Sequence, residues 1–359
     1  MTLSDIARLR LRQQSLDKPR FNEPRAAVAW LGAVQAQDYP ATKFALGLRV
    51  KRATDTTIEA ALDDGSILRT HVLRPTWHFV APEDIRWMLD LSAPRVRKIL
   101  AHHDRTLEIT ASLRARCNRV MAKALRDGTH LTREEIAQRL TRSRIEARGQ
   151  RLARIVMHAE LDGLICSGPR RGKQFTYALL EERVPPARPI TREEARARLA
   201  MRYFASHGPA QLKDFAWWSG LTMKDAAEGL EAVKAGLCEK TLDDKSYWLV
   251  PARVPKLKSP AAHLLSIYDE YTIAYKDRSA LGGGEFATQL LRMGNALTSV
   301  LVLDGEIVGT WKRVLRKDAV DVVVSPLRRL SPGEKTAVVA AADRLATFLG
   351  LPATVKMGR

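Results

Sequence analysis

Leu164-Ile-Cys-Ser-Gly-Pro-Arg-Arg-Gly-Lys-Gln-Phe-Thr-Tyr-Ala-Leu-Leu180 sets two apolar runs on either side of a turn punctuated by glycine and proline. Such a pattern reads as a β-hairpin. Its tip carries Arg170, Arg171 and Lys173, cations placed where a hairpin meets phosphates. Upstream, Gln150 to Leu161 reads as a helix ended by Gly163. Thr132-Arg-Glu-Glu135 is a capping box that opens another, and Leu113 to Arg126 forms a third that stops at Gly128. Three helices followed by a basic hairpin is the order of a winged helix, here over residues 111–182.

The same order recurs on both sides. Arg183-Val-Pro-Pro-Ala-Arg-Pro189 reads as a linker, and 190–252 as a further winged-helix unit. In that unit Thr191-Arg-Glu-Glu194 is a capping box. Helices are predicted over Arg192–Ser206, Ala210–Trp218 and Met223–Ala235, the last capped by Thr222. Strands Cys238–Leu242 and Ser246–Val250 then pair around Asp243-Asp-Lys245.

Residues 1–110 form the first unit. Ser4 caps a helix to about Ser15. The almost wholly small or apolar run Arg25–Gln37 predicts a buried helix stopped by Tyr39-Pro40. A short helix Ile58–Asp63, started by Thr56 or Thr57, ends at Gly65. Leu68–Val80 is a strand–turn–strand, and Pro82-Glu-Asp-Ile opens a helix. The pattern changes in 253–359. Thr298–Trp311 is a hairpin turning at Asp304-Gly305, Val320–Val324 is a strand, and Ser331-Pro-Gly-Glu334 opens a helix to Phe348. Several strands and one helix suggest a small barrel or curled sheet. The expected fold is α+β, with tandem winged-helix motifs followed by a C-terminal β-barrel.

A chain of 359 residues that is 45% hydrophobic can fill several small cores. Lys and Arg outnumber Asp and Glu by 59 to 40, a net charge of +19. That excess points to a polyanion, most simply nucleic acid. The competing reading is arginine spread over solvated helix faces. Three separated cysteines, Cys117, Cys166 and Cys238, argue against a disulfide framework or structural zinc and suit a reducing compartment. The start of the chain lacks the layout of a signal peptide and no apolar run is long enough to span a membrane, so a cytoplasmic location is expected. No phosphate-binding loop is present, since Gly282-Gly-Gly284 is not followed by Lys-Ser/Thr. His-Glu-x-x-His and Gly-x-Ser-x-Gly are also absent, and His102-His103 reads as helix surface. No metal or cofactor is expected.

Gln35 and Gln37 close the apolar run. Taken alone they read as a polar helix terminus. Taken in order with Leu68–Val80, Tyr268-Asp-Glu-Tyr271, Tyr275-Lys-Asp-Arg278, Val302-Leu-Asp-Gly305 and Val308-Gly-Thr-Trp-Lys-Arg313, they make the chain resemble the AlkZ-type DNA glycosylases over nearly its whole length. The family signature Gln-x-Gln maps onto Gln35 and Gln37. The resemblance implies three winged-helix motifs and a barrel forming a C-shaped clamp on DNA. It also implies a monofunctional glycosylase for cationic N7- or N3-alkylpurines, including the unhooking of interstrand crosslinks, with both glutamines holding the attacking water.

The chemistry is consistent with that role. An amide offers an acceptor oxygen and two donors but is a poor base, which suits a leaving group that already carries positive charge. Asp38 reads either as a base or cation stabiliser, or as a turn carboxylate. Arg69, His71, Arg74 and His78 read as DNA-backbone or lesion contacts, or as a wing packing its own polar groups. Trp77, Phe79 and Trp217-Trp218 read as core, and the Tyr268–Arg278 block as a cluster of ion pairs and rings. The expected partner is double-stranded DNA containing alkylated bases, bound by a monomer. The alternative is a winged-helix regulator that reads DNA without chemistry, although no dimerisation helix is evident.

Overall fold

The computed structural model describes residues 1–256, 259–282 and 298–358. Gly283 and Gly284 of the glycine triplet lie outside the described residues. In the first block, helix α1 (Leu3–Gln13) is closed by a Thr2/Asp5 capping box. Helix α2 (Pro24–Leu31) is shorter than the apolar run predicts. Gly32, at φ 82°, ends it in a conformation that side-chain-bearing residues rarely adopt. A Cβ there would also meet the Trp218 ring at 3.3 Å. The chain then extends into strand β1 (Val34–Gln35). Gln35 is therefore on a strand and not at a helix end. Tyr39-Pro40, expected to stop a helix, instead begins α3 (Tyr39–Gly47), because proline needs no donor partner in a first helical turn.

Helix α4 (Asp55–Asp63), capped by Thr54, precedes strands β2 (Leu68–His71) and β3 (Trp77–Val80). β1 joins this hairpin as a third strand in the order β1-β3-β2, with Val34 opposite Phe79 and Gln35 opposite His78. The long helix α5 (Pro82–Thr106) closes the block.

The second block has α6 (Ala111–Ala124), β4 (Leu131–Thr132), α7 (Arg133–Arg142), α8 (Gly149–Leu161), β5 (Ile165–Ser167), β6 (Thr176–Leu179) and a single turn α9 (Leu180–Arg183). Its sheet order is β4-β6-β5. The third has α10 (Arg192–His207), α11 (Leu212–Ser219), α12 (Met223–Val233), β7 (Cys238–Leu242) and β8 (Lys245–Leu249). Asp243 and Asp244, at φ 48° and 57°, make the two-residue turn of its hairpin. Both blocks follow the expected order of three helices and a hairpin.

The last block holds β9 (Ala262–Leu265), the short α13 (Glu270–Ile273), β10 (Val300–Leu303), β11 (Glu306–Leu315), β12 (Val320–Pro326), α14 (Pro332–Leu349) and β13 (Ala353–Met357). The strands form one sheet in the order β13-β12-β11-β10-β9. β9 and β13 stand at opposite edges, and among the described residues no ladder joins them. The expected barrel is thus an open five-stranded sheet. The cause is the connection through α14, which returns the chain parallel to β12 and lays Val338, Ala341, Ala342, Leu345 and Phe348 into the same core as the sheet's inner face.

That core is shared with the first block. Phe348 packs on Phe44 with ring centroids 5.4 Å apart, and a Cβ on Gly47 would lie 2.4 Å from the Phe348 ring. The open sheet is therefore docked against α3, and α13 is brought beneath β1. The whole is a mixed α+β fold. Among the described residues no helix is long and apolar enough to cross a membrane.

Candidate active site

The backbone groups of Gln35 and Ala36 are all used. Its N–H donates to Glu270 Oε1 at 2.9 Å, and its carbonyl accepts from Thr42 Oγ1 at 3.0 Å. Ala36 N–H donates to Trp77 O at 2.7 Å, and Ala36 O accepts from Arg69 Nε at 3.1 Å. The side chain is fixed as well, because Arg74 Nη2 donates to Gln35 Oε1 at 3.1 Å. Guanidinium only donates, so the carbonyl end of the amide must face Arg74. The amino end of Gln35 is left for the cleft. Gln37 is exposed, and its side chain has no hydrogen-bond partner among the described residues.

Both glutamines line one cleft of about 780 Å³, together with Arg74, Lys213, Trp217 and Lys276. In a helix, residues two apart face different ways. The extended backbone from β1 lets them share a side. Gln37 also lines a second, smaller cavity of about 190 Å³ that His71 and Trp77 border.

Three buried groups, Glu270, His207 and His78, and the half-buried Arg74 set the electrostatics behind Gln35. Glu270 is 1% exposed and accepts from Gln35 N and, through Oε2, from Trp218 Nε1 at 2.9 Å. His207 Nε2 stands 3.5 Å from the same Oε2. Burial pushes the carboxyl up, but the His207 and Gln35 contacts and the Arg74 charge outweigh it and hold it below the ordinary value. Burial lowers Arg74. His78 is fully buried, with Nδ1 2.9 Å from Thr76 O and Nε2 3.4 Å from Arg74. Burial first, then the Arg74 charge, push it down to about 3, so the ring is neutral. Its proton sits on Nδ1, facing the carbonyl.

A family model described as DNA glycosylase AlkZ-like matches residues 28–348. The chain belongs to the AlkZ-like DNA glycosylase family. It is accordingly a DNA glycosylase. It is 24% identical over 329 residues to an interstrand DNA cross-link repair glycosylase of Streptomyces sahachiroi, covering 86% of this chain and 87% of that one. Its fold is similar to that of the DNA glycosylase AlkZ of the same organism, with a TM-score of 0.80 at 21% identity over 99% of each chain.

In this glycosylase the hairpin residues read as DNA-backbone contacts face inward. The Arg69 guanidinium is 8% exposed and lies 4.3 Å from the Trp77 ring centroid and 4.4 Å from that of Phe175. His71 is 2% exposed, its Nδ1 2.5 Å from Glu160 Oε2. With His78 also buried, none of these three can touch a phosphate as the chain is folded. The reason is that β2 is covered by β5 and α8 of the second block, while His78 sits on the central strand β3 against Thr76 O and Arg74. Arg74 alone of the four reaches the cleft.

The basic hairpin tip is largely neutralised. Arg170 pairs with Glu59 at 3.0 Å and lies over the Tyr39 and Phe175 rings. Arg171 pairs with Glu135 at 2.8 Å and donates to His130 O. Lys173 is exposed and has no ion pair among the described residues. Asp38 is the N-cap of α3, its Oδ1 accepting from Ala41 N at 3.0 Å.

Sequence reasoning missed two participants. The sequence pattern gives Glu270 only as part of a cluster of ion pairs and rings, and Trp217 as core. Trp218 is fully buried, but Trp217 is 41% exposed in the cleft. The signal was available, because neighbours on one helix point about 100° apart and cannot both face one core. Among the described residues no three His, Cys, Asp or Glu side chains gather as a metal site.

Proposed function

We propose that this glycosylase hydrolyses the N-glycosidic bond of cationic N7- or N3-alkylpurines in double-stranded DNA, including guanines tied into interstrand crosslinks. The observation that carries the reading is the pair of neutral amides on one cleft, one of them clamped by Arg74 so that only its amino end is presented. An alkylated purine already bears positive charge and leaves with the bonding electrons without an acid. What remains is an oxocarbenium-like sugar that must meet water at C1′. Gln35 donates to the water oxygen and holds it, while the Gln37 carbonyl accepts one of its hydrogens and turns its lone pair to the sugar. This is catalysis by placement and by fixed dipoles. The proton lost from water passes to solvent or to the oxygen of Asp38 not used in capping.

The Streptomyces sahachiroi relative named for interstrand cross-link repair supports extending the reading to crosslinks. The +19 charge supports a DNA duplex as the partner. The three blocks of helices and hairpins, over 1–110, 111–182 and 190–252, act on this reading as winged-helix units of a monomeric clamp. The last block, 253–359, supplies Glu270 and the cleft's Lys276.

The test is release of free base from alkylated duplex DNA, followed chromatographically. N7-alkylguanine is expected to be released and an alkali-labile abasic site left behind. Uracil and hypoxanthine, neutral when they leave, are expected to stay. Borohydride is expected to trap no adduct, since the nucleophile on this reading is the water held by the glutamines and not an amine. Rapid uracil release or a trapped complex would overturn the mechanism.

A further inference from the structure

His71 and Glu160 form a buried pair that the proposed hydrolysis does not use. They come from different blocks, His71 from β2 and Glu160 from α8, and meet with Nδ1 2.5 Å from Oε2. As a carboxylate Glu160 only accepts, so Nδ1 carries the ring proton and Nε2 keeps its lone pair. The Trp77 ring lies beside the imidazole, centroids 4.4 Å apart, and holds its plane. This ring borders the cavity of about 190 Å³, which has room for several water molecules and polar partners for them in Gln150 and Arg154. Gln37 and Pro75 line both that cavity and the large cleft. Gln37 therefore stands between the reacting centre and an imidazole oriented by a carboxylate, the arrangement that makes histidine a proton acceptor.

We propose that the His71–Glu160 pair is the proton acceptor of the hydrolysis, reached from the cleft past Gln37 through water in the smaller cavity. The inference rests on the reading of Gln35 and Gln37 as holders of the attacking water, and it specifies the solvent route for the proton. The water oxygen bonds to C1′, and the glycosidic bond breaks with its electron pair going to the cationic base, which leaves neutral. One O–H bond of the water breaks, its pair stays on the new sugar hydroxyl, and the proton is relayed to His71 Nε2. The imidazolium is stabilised by Glu160 and by the Trp77 ring face, and returns its proton to solvent after release.

The surroundings of the pair limit what else can titrate there. Arg69, Arg133 and Arg154 are the nearby cations. His78 is neutral, and burial pushes Cys166 up to about 12 and raises Tyr177, both of which face Glu160. His103, on α5, also lines the cavity, with Nδ1 2.9 Å from Arg154 Nη2.

The experiment uses the full chain and a duplex carrying N7-methylguanine, with single-turnover release measured at saturating enzyme from pH 5 to 8. Wild-type excision is expected to fall on the acid side, because a protonated ring takes no further proton. His71→Gln keeps a donor for Glu160 and is expected to bind DNA as wild type, to excise about 100-fold more slowly, and to lose the acid limb. His103→Gln is expected to keep the limb. His71→Ala is expected to be rescued at pH 8 by added imidazole but not by pyrazole, which has the same size and is a far weaker base; His71→Gln covers the case in which this variant fails to fold. Wild-type rate and pH profile in His71→Gln, loss of the limb in His103→Gln, or equal rescue by both azoles overturns the relay alone. Failure of wild-type protein to release N7-methylguanine overturns the alkylpurine reading and the relay with it.

Discussion

Replacing Glu270 by glutamine changes one atom type in a fully buried position and tests how the site is held. The carboxylate accepts from Gln35 N at 2.9 Å and from Trp218 Nε1 at 2.9 Å, with His207 Nε2 at 3.5 Å. An amide has a single oxygen, so one of those donors would face an NH2 group instead. A buried donor left without an acceptor costs about 1–3 kcal/mol, and the surviving bond loses its charge assistance. The expected destabilisation is about 2–4 kcal/mol, read as the shift in urea unfolding at pH 7. Excision should fall as well, because the lost bond anchors the Gln35 backbone and a misplacement of about 1 Å costs roughly 100-fold.

The pH dependence carries a sign. The Glu270 carboxyl lies below its ordinary 4.5 when folded, so its contribution is fully present above 4.5 and is lost as pH falls through the depressed value. The gap between wild type and Glu270→Gln should therefore be constant from pH 7 to about 5 and close at lower pH. A gap that widens on acidification, or a variant with wild-type stability and excision, would refute the account.

Gln37→Ala should lower single-turnover excision by two to three decades, about 2–4 kcal/mol, with DNA affinity and melting unchanged; Gln35→Ala should do the same with a modest loss of stability, since Gln35 is 8% exposed. Wild-type rates in both would remove them from the chemistry and leave Asp38 as the first suspect. Lys173→Glu should weaken duplex binding and lower the slope of log K against log salt by about 1, whereas Arg171→Glu, whose charge is already matched by Glu135, should change the slope less; equal slopes would show that the pairing opens on DNA. His78 and His263, both pushed down to about 3 by burial and nearby arginines, bind protons only on unfolding. Stability should be full above 6.5 and fall below it, by about 2 kcal/mol per ring at pH 5, and a flat urea midpoint from pH 7.5 to 5 would contradict this.

Where an element's signal is local, the sequence was enough to place it. Thr132, Thr191 and Ser331 cap helices through boxes closed within three residues, and Asp304-Gly305 turns its hairpin at φ 51° and 99°. Misreadings arose where a distant contact decides. β1 exists because residues 34 and 35 pair with 79 and 78, and nothing within the apolar run announces that partner. β13 passed unread because its ladder is with β12 across a helix. In the site, the Gln-x-Gln pair is visible in the chain, but Glu270 lies 235 positions from Gln35. The alternation of Arg69 and His71 defines faces without saying which is covered. Ser167 and Glu160, from another block, cover them.

On the proposed mechanism, the charges around the glutamines account for amides sufficing there. Arg74 supplies a half-buried cation and Glu270 a buried anion, each bonded to Gln35, and His78 beside Arg74 is neutral. A lone cation would repel the positive sugar formed when the base leaves, and a lone buried anion would be too costly to keep ionised. As a pair they cancel at a distance while each holds one end of Gln35, Arg74 its carbonyl oxygen and Glu270 its backbone N–H. The fold spends its ionic groups on fixing a neutral amide and leaves the reacting centre facing dipoles. That arrangement has little to offer a neutral base in need of a proton and suits one that departs already charged.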